Sequence, residues 1–172
     1  MAQSGTVCSG GNENPAVAET TPSSAFVFSN IDVVAEGMAV HRPTDLGWMR
    51  CALGQTWNGL GCSGTSELLT WEQALQAAAQ FEFGGYSDWR LPDRNELESI
   101  VEQRCWSPAI NAEVFPDTPP MGFVSASPFA VDSMRGAPSQ VWFVAFDEGD
   151  LIADDSDALY SVRLVRGGNY QR

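Results

Sequence analysis

The order of periodic segments in this 172-residue chain predicts an α+β fold. Short alternating apolar stretches, the mark of half-buried strands, lie near both ends of the sequence. Between them lie two segments with helical spacing of apolar residues and a capping signal at each start. The terminal strands are therefore expected to share one antiparallel sheet. Two helices pack on antiparallel sheets in this reading, with long irregular loops and two disulfides.

Residues 1–24 are rich in Ser, Gly, Asn, Thr and Pro and read as an extended arm before a single domain over 25–172. Ala25 to Phe28 and Met38 to His41 are expected strands, separated by a turn at "RPTD" from a third in "LGWMRC". "TWEQALQAAAQFEF" is a helix with Thr70 as N-cap and Gln73 three residues on, a capping-box spacing. Ala74, Leu75, Ala78 and Phe81 make its apolar face. A second helix starts in "LPDRNELESIVEQRC", capped by Asp93 with Glu96 at the third helical position. Its buried stripe is Leu97, Ile100 and Val101, while Glu96, Glu98 and Glu102 point mostly to water. "SPAINAEVFPDTPPMG" is an irregular link. "FVSASPF" is a short strand ending at Pro128, and "VWFVAF" (141–146) and "YSVRLVRGG" (160–168) are two more. "DEGDLIADDSDAL" between them reads as a long acidic loop.

The formal charge is −13 and the sequence contains no lysine, so every basic side chain counted is arginine. Such a surface repels nucleic acid and anionic membranes, which removes both from the expected partners. No apolar run is long enough to span a bilayer. The first residues, "MAQSGTVCSGGNENP", lack an apolar signal-peptide core and read as a mature segment behind an added methionine. Four cysteines without C-x-x-C spacing, with a single histidine, fit disulfides better than zinc. Cys51 and Cys62 close a short loop and pair first, leaving Cys8 with Cys105. Four cysteines also permit other pairings. Two disulfides imply an oxidising compartment: the cell surface, the periplasm or the medium.

Catalytic readings are weak. Asp88, Arg90, Asp93 and Glu96 form a carboxylate-rich run, but helix capping explains their spacing completely. Arg90 is then a structural partner of a carboxylate. His41 lies in an expected strand with no nucleophile context. The acidic run supplies oxygen ligands for calcium, yet lacks EF-hand spacing, and no sugar-binding Glu-Pro-Asn or Gln-Pro-Asp occurs. No cofactor is therefore expected, and calcium is indicated by no motif.

"LGWMRCALGQTWNGLGCSG", "TWEQALQAA", "GYSDWRLPDRNELESIVEQRCWSPAINAEVFPDT" and "SVRLVRGG" resemble, in the same order, the Lcl C-terminal domain family, also called DUF1566. The resemblance runs from about Phe26 to Gly168. It implies a C-type lectin-like fold of the branch that includes formylglycine-generating enzymes, and secreted or surface-bound bacterial proteins. The family's namesake is an adhesin domain that binds sulfated glycosaminoglycans. Other proteins of this fold branch are diversified by retroelements that randomise adenines late in the gene. The catalytic-thiol chemistry of formylglycine-generating enzymes is not expected here, since all four cysteines read as structural.

The chain departs from the family late. It has "VSAS" at 124–127 where the family has "WSSS", and an acidic run where Asn, Tyr and Ser are usual. Asp150 to Ser161 contains no Lys, Glu, Gln, Met or Trp, the residues that adenine mutation of an Asn codon cannot give. The expected function is non-enzymatic ligand binding by a loop face over about 124–161. Its apolar members are Val124, Ala126, Phe129, Val131, Leu151, Ile152 and Leu159. Its polar members are Asp132, Ser133, Asp147, Asp150, Asp154, Asp155 and Asp157. The expected partner is a protein or cell-surface ligand, basic or partly apolar. The alternative is a fixed adhesin for glycans or glycosaminoglycans; the charge argues against sulfated ligands unless Arg42, Arg50, Arg135, Arg163 and Arg166 converge in space.

Overall fold

The computed structural model describes residues 7–27, 36–134 and 136–168. Phe28 and Arg135, which the sequence reading used, lie outside them. Three antiparallel sheets, two short α-helices and two single 3-10 turns make up the regular structure of the described residues. The first sheet has the order β1 (Phe26–Val27), β2 (Met38–His41), β3 (Leu46–Met49) and β9 (Val165–Gly167). Strands from both ends of the sequence thus share one antiparallel sheet, with Trp48 opposite Val165. The last strand is shorter than its alternating pattern, since residues 160–164 contribute only isolated bridges at Tyr160 and Ser161. β4 (Thr56–Trp57) and β5 (Cys62–Ser63) form a small hairpin closed by the Cys51–Cys62 disulfide. The third sheet is β6 (Gly122–Asp132), β7 (Ala137–Ala145) and β8 (Asp150–Asp155), in that order.

Both capping boxes form. Thr70 caps α1 (Trp71–Ala79) reciprocally with Gln73, and Asp93 caps α2 (Arg94–Glu98) reciprocally with Glu96. Each satisfies backbone N–H groups that a helix start leaves without partners. Both helices are shorter than expected. The first stops at Ala79, because Phe81 and Phe83 turn back to place their rings against Trp89, through a turn at Gly84 and Gly85. The second stops at Glu98. Ile100 and Val101 are buried as expected, but by a bridge from Val101 to Ile110 and not by a helical stripe.

Two carboxylates assigned to water are instead internal. Glu96 pairs with Arg90 in a two-pronged bond, both contacts 2.8 Å. Glu102 is wholly inaccessible and holds the N-terminal arm. It accepts bonds from the backbone N–H groups of Thr20, Thr21 and Arg104 and from the Thr21 hydroxyl. Cys8–Cys105 fastens the same arm 97 residues away in sequence, with Val7 buried beside it. Burial alone would raise the Glu102 pKa, but the bonds from Thr20, Thr21 and Arg104 outweigh it and hold it below the ordinary carboxylate value.

The two larger core clusters lie on either side of the third sheet. Trp48, Ile100, Phe115, Phe123, Val144 and Phe146 belong to one. Trp89, Leu91, Val124, Val141, Tyr160 and Leu164 belong to the other. Arg163 is fully buried, with its guanidinium 4.8 Å from the Phe115 ring and 5.5 Å from that of Phe123. It donates to the carbonyls of Met49 and Arg50 and to the Thr118 hydroxyl. Burial pushes its pKa down to about 9.

Candidate functional site

The third sheet carries most of the expected ligand-binding residues, but as strands and not as loops. β6 does not stop at Pro128. It continues to Asp132 through register shifts that absorb the proline, a bulged arrangement that an edge position tolerates. The run "DLIADD" within the expected acidic loop is β8, paired along its length with β7 from Ala145↔Asp150 to Gln140↔Asp155. Aspartate is a poor strand former, but the apolar β7 supplies a template that overrides local preference.

The base of the β6–β7 hairpin is tied to both helices. The Trp71 indole N–H donates to the Ser125 carbonyl at 3.0 Å. The Ala126 N–H reaches the Pro92 carbonyl, and the Arg94 N–H reaches the Ser127 hydroxyl. The Arg94 guanidinium lies 5.3 Å from the Trp142 ring, and Phe129 meets that ring edge-on at 5.0 Å. Toward the turn the apolar side chains are increasingly open to water: Phe129 is 53%, Val131 62% and Met134 98% exposed. Asp132 shapes the turn, its carboxylate accepting from the Met134 N–H.

The expected residues do not form one patch. Val124 is a correction: it is completely buried, paired with Phe143 in the core. Ala126 and Leu151 are half-buried, Leu151 against the first core cluster. Phe129 and Val131 stand on the hairpin with Asp132 and Ser133 at its turn. Asp147 lies in the turn before β8, and Asp157 and the exposed Leu159 follow that strand. Strand alternation puts Asp150, Ile152 and Asp154 on one face of β8 and Leu151, Ala153 and Asp155 on the other. Tyr160 closes this end, its hydroxyl donating to the Asp155 carbonyl at 2.6 Å. Its pKa is raised to about 12, by burial and then by Asp154 and Asp155. Met134, Trp142 and Arg94 were missed. A Met in the turn between two alternating strands, and a Trp inside one of them, were the available signals.

Among the described residues, Arg42, Arg50, Arg163 and Arg166 do not converge into a polyanion surface. Arg163 and Arg50 are buried, and Arg50 donates to the carbonyls of Val114 and Glu113. Burial, opposed by Glu113, pushes the Arg50 pKa down to about 10. Arg166 is held by Asp88 at 2.7 Å and lies 3.5 Å from the Tyr86 ring. Arg42 is exposed. Among the described residues no group of three or more His, Cys, Asp or Glu side chains is placed to hold a metal ion. No helix among them is long and apolar enough to cross a membrane. The cysteines are paired as Cys8–Cys105 and Cys51–Cys62, with none free, as the spacing suggested.

A family model for the Lcl C-terminal domain matches residues 37–166, from the turn before β2 into β9. The chain belongs to the Lcl C-terminal domain family. The match takes in all three sheets except β1, and both capped helices. No curated protein shows a significant match to the chain.

Proposed function

We propose that this Lcl C-terminal domain is a non-enzymatic ligand-binding module displayed outside the cytoplasm, on a C-type lectin-like scaffold. Its contact surface is the β6–β7 hairpin with the neighbouring β8. The observation that carries the reading is the hairpin itself. Its base is fixed by both helices, while Phe129, Val131 and Met134 project into water. Exposed apolar side chains on a rigid support are what a recognition surface needs. The carboxylates of β8 bias the choice toward a basic protein surface. Binding needs no cofactor in this reading, so calcium and chelator leave it unchanged. The paired cysteines and the oxidising compartment they fit support a place at the cell surface or in the periplasm.

The test is an array of surface proteins and oligosaccharides, heparin included, probed with the wild type and with the variant Phe129→Ser/Val131→Ser/Met134→Ser. The expected result is binding to protein spots that the variant loses while its thermal unfolding is unchanged. Binding confined to glycans, or equal binding by both forms, would overturn the reading. A further level is diversification of this face by a retroelement. Deep sequencing of the locus should then show adenine-specific variation in codons for exposed positions such as Val131, sparing buried Val124. Invariant codons with no nearby template repeat would end that idea.

A further inference from the structure

β8 is an edge strand of its sheet, and most of its outer rim meets no partner among the described residues. The backbone bond from the Ser156 N–H to the Ser139 carbonyl fixes the parity of the β7–β8 ladder. Asp150, Ile152 and Asp154 then direct their backbone groups to β7. Leu151 and Ala153 direct theirs outward, where none meets a partner among the described residues. The outward carbonyl of Asp155 is already taken by Tyr160. Four backbone groups therefore remain for a guest strand.

The side chains indicate which guest. A second copy pairing antiparallel about Ile152 would set Asp150 opposite Asp154 twice, an arrangement like charges oppose. Deepening the binding function proposed above, and resting on it, we infer that the β8 edge receives an extended segment of a protein partner. That segment carries Lys or Arg opposite Asp150 and Asp154, with an apolar residue between them opposite Ile152. The required motif is basic–x–apolar–x–basic. The guest residues opposite Leu151 and Ala153 exchange the backbone bonds, and those opposite the Asp–Ile–Asp face supply charge and apolar contact.

The test uses the peptide Thr-Lys-Thr-Val-Thr-Lys-Thr, followed by amide shifts of the nitrogen-labelled protein. Shifts should centre on Leu151 and Ala153 and should weaken with salt. Asp150→Asn/Asp154→Asn should weaken binding about fivefold. Ala153→Pro removes an outward N–H without touching the β7 ladder, and should abolish binding with the fold retained. A peptide N-methylated on the residues opposite Leu151 and Ala153 makes the same test on the wild-type protein, and should not bind. No binding of the parent peptide, equal binding of its N-methylated form, or self-association through this edge would overturn the inference. If Ala153→Pro keeps the array binding that the hairpin variant loses, the edge proposal fails while the binding function stands. If neither variant changes array binding, both fail.

Discussion

Replacing Glu102 with Gln removes a charge and keeps the shape, which isolates what the buried carboxylate does for the N-terminal arm. Its two oxygens face N–H groups of Thr20, Thr21 and Arg104 at 2.7–3.1 Å, and the Thr21 hydroxyl at 2.9 Å. An amide turns one of those oxygens into a donor that meets donors. Bonds to a charged acceptor contribute about 1.5–3 kcal/mol each, so losing at least one and weakening others costs about 3 kcal/mol. For a chain of this size that lowers Tm by roughly 6–12 °C at pH 7. Because the folded pKa lies below the unfolded one, the stabilisation is complete above the unfolded carboxylate value, about 4.3. It is lost as pH falls through the folded value. The assay is thermal unfolding of both proteins by circular dichroism, at pH 7 and in increasing acid. The wild type should lead at pH 7, and the gap should narrow below about pH 4. A Tm difference under about 2 °C at neutral pH, or a gap undiminished in acid, would refute the reasoning.

Three further outcomes can be checked in the same assay. Replacing Cys8 and Cys105 by Ser opens a loop of 97 residues and should cost about 5 kcal/mol, against about 3 kcal/mol for Cys51 and Cys62, which are 11 apart. Equal losses would argue against a loop-length origin. Val124→Ser should destabilise by about 3 kcal/mol because it opens a core site and buries a hydroxyl. Val131→Ser should stay within about 0.5 kcal/mol. Arg163→Met should cost about 3 kcal/mol, since it leaves the Met49 and Arg50 carbonyls and the Thr118 hydroxyl without their donor. A variant as stable as the wild type would show that apolar packing compensates fully.

Local chemistry was legible wherever it was self-contained. Thr70 with Gln73 and Asp93 with Glu96 announce helix starts because the cap is completed within four residues. Cys51 and Cys62 announce a loop for the same reason. The joining of the two sequence ends in one sheet was also readable, from where the alternating stretches lie. What failed depended on distant partners. Pro128 marks a strand end by local rules, but β7 carries β6 past it. Asp150, Asp154 and Asp155 favour a loop until β7 is laid beside them. Glu102 looked solvent-facing on an extended helix, whereas the helix ends at Glu98 and the arm from 81 residues upstream covers it. The candidate site inherits the same limit. Its members were named from a contiguous stretch, and strand alternation then divides them between the core, two sheet faces and a hairpin turn.

The joining of β1, β2 and β3 to β9 also sets a timetable for biogenesis. As the polypeptide emerges in order, β3 has no neighbour on its far side until Val165–Gly167 arrives, after nearly every other element. Cys8 waits likewise for Cys105, and Cys51 and Cys62 emerge in the interval as competing thiols. The short crosslink can close early, but the long one must await its partner or be reshuffled. Yield of the native pairing should therefore respond to thiol–disulfide exchange catalysts present while the chain is still emerging, more than to any that act after the last strand is in place.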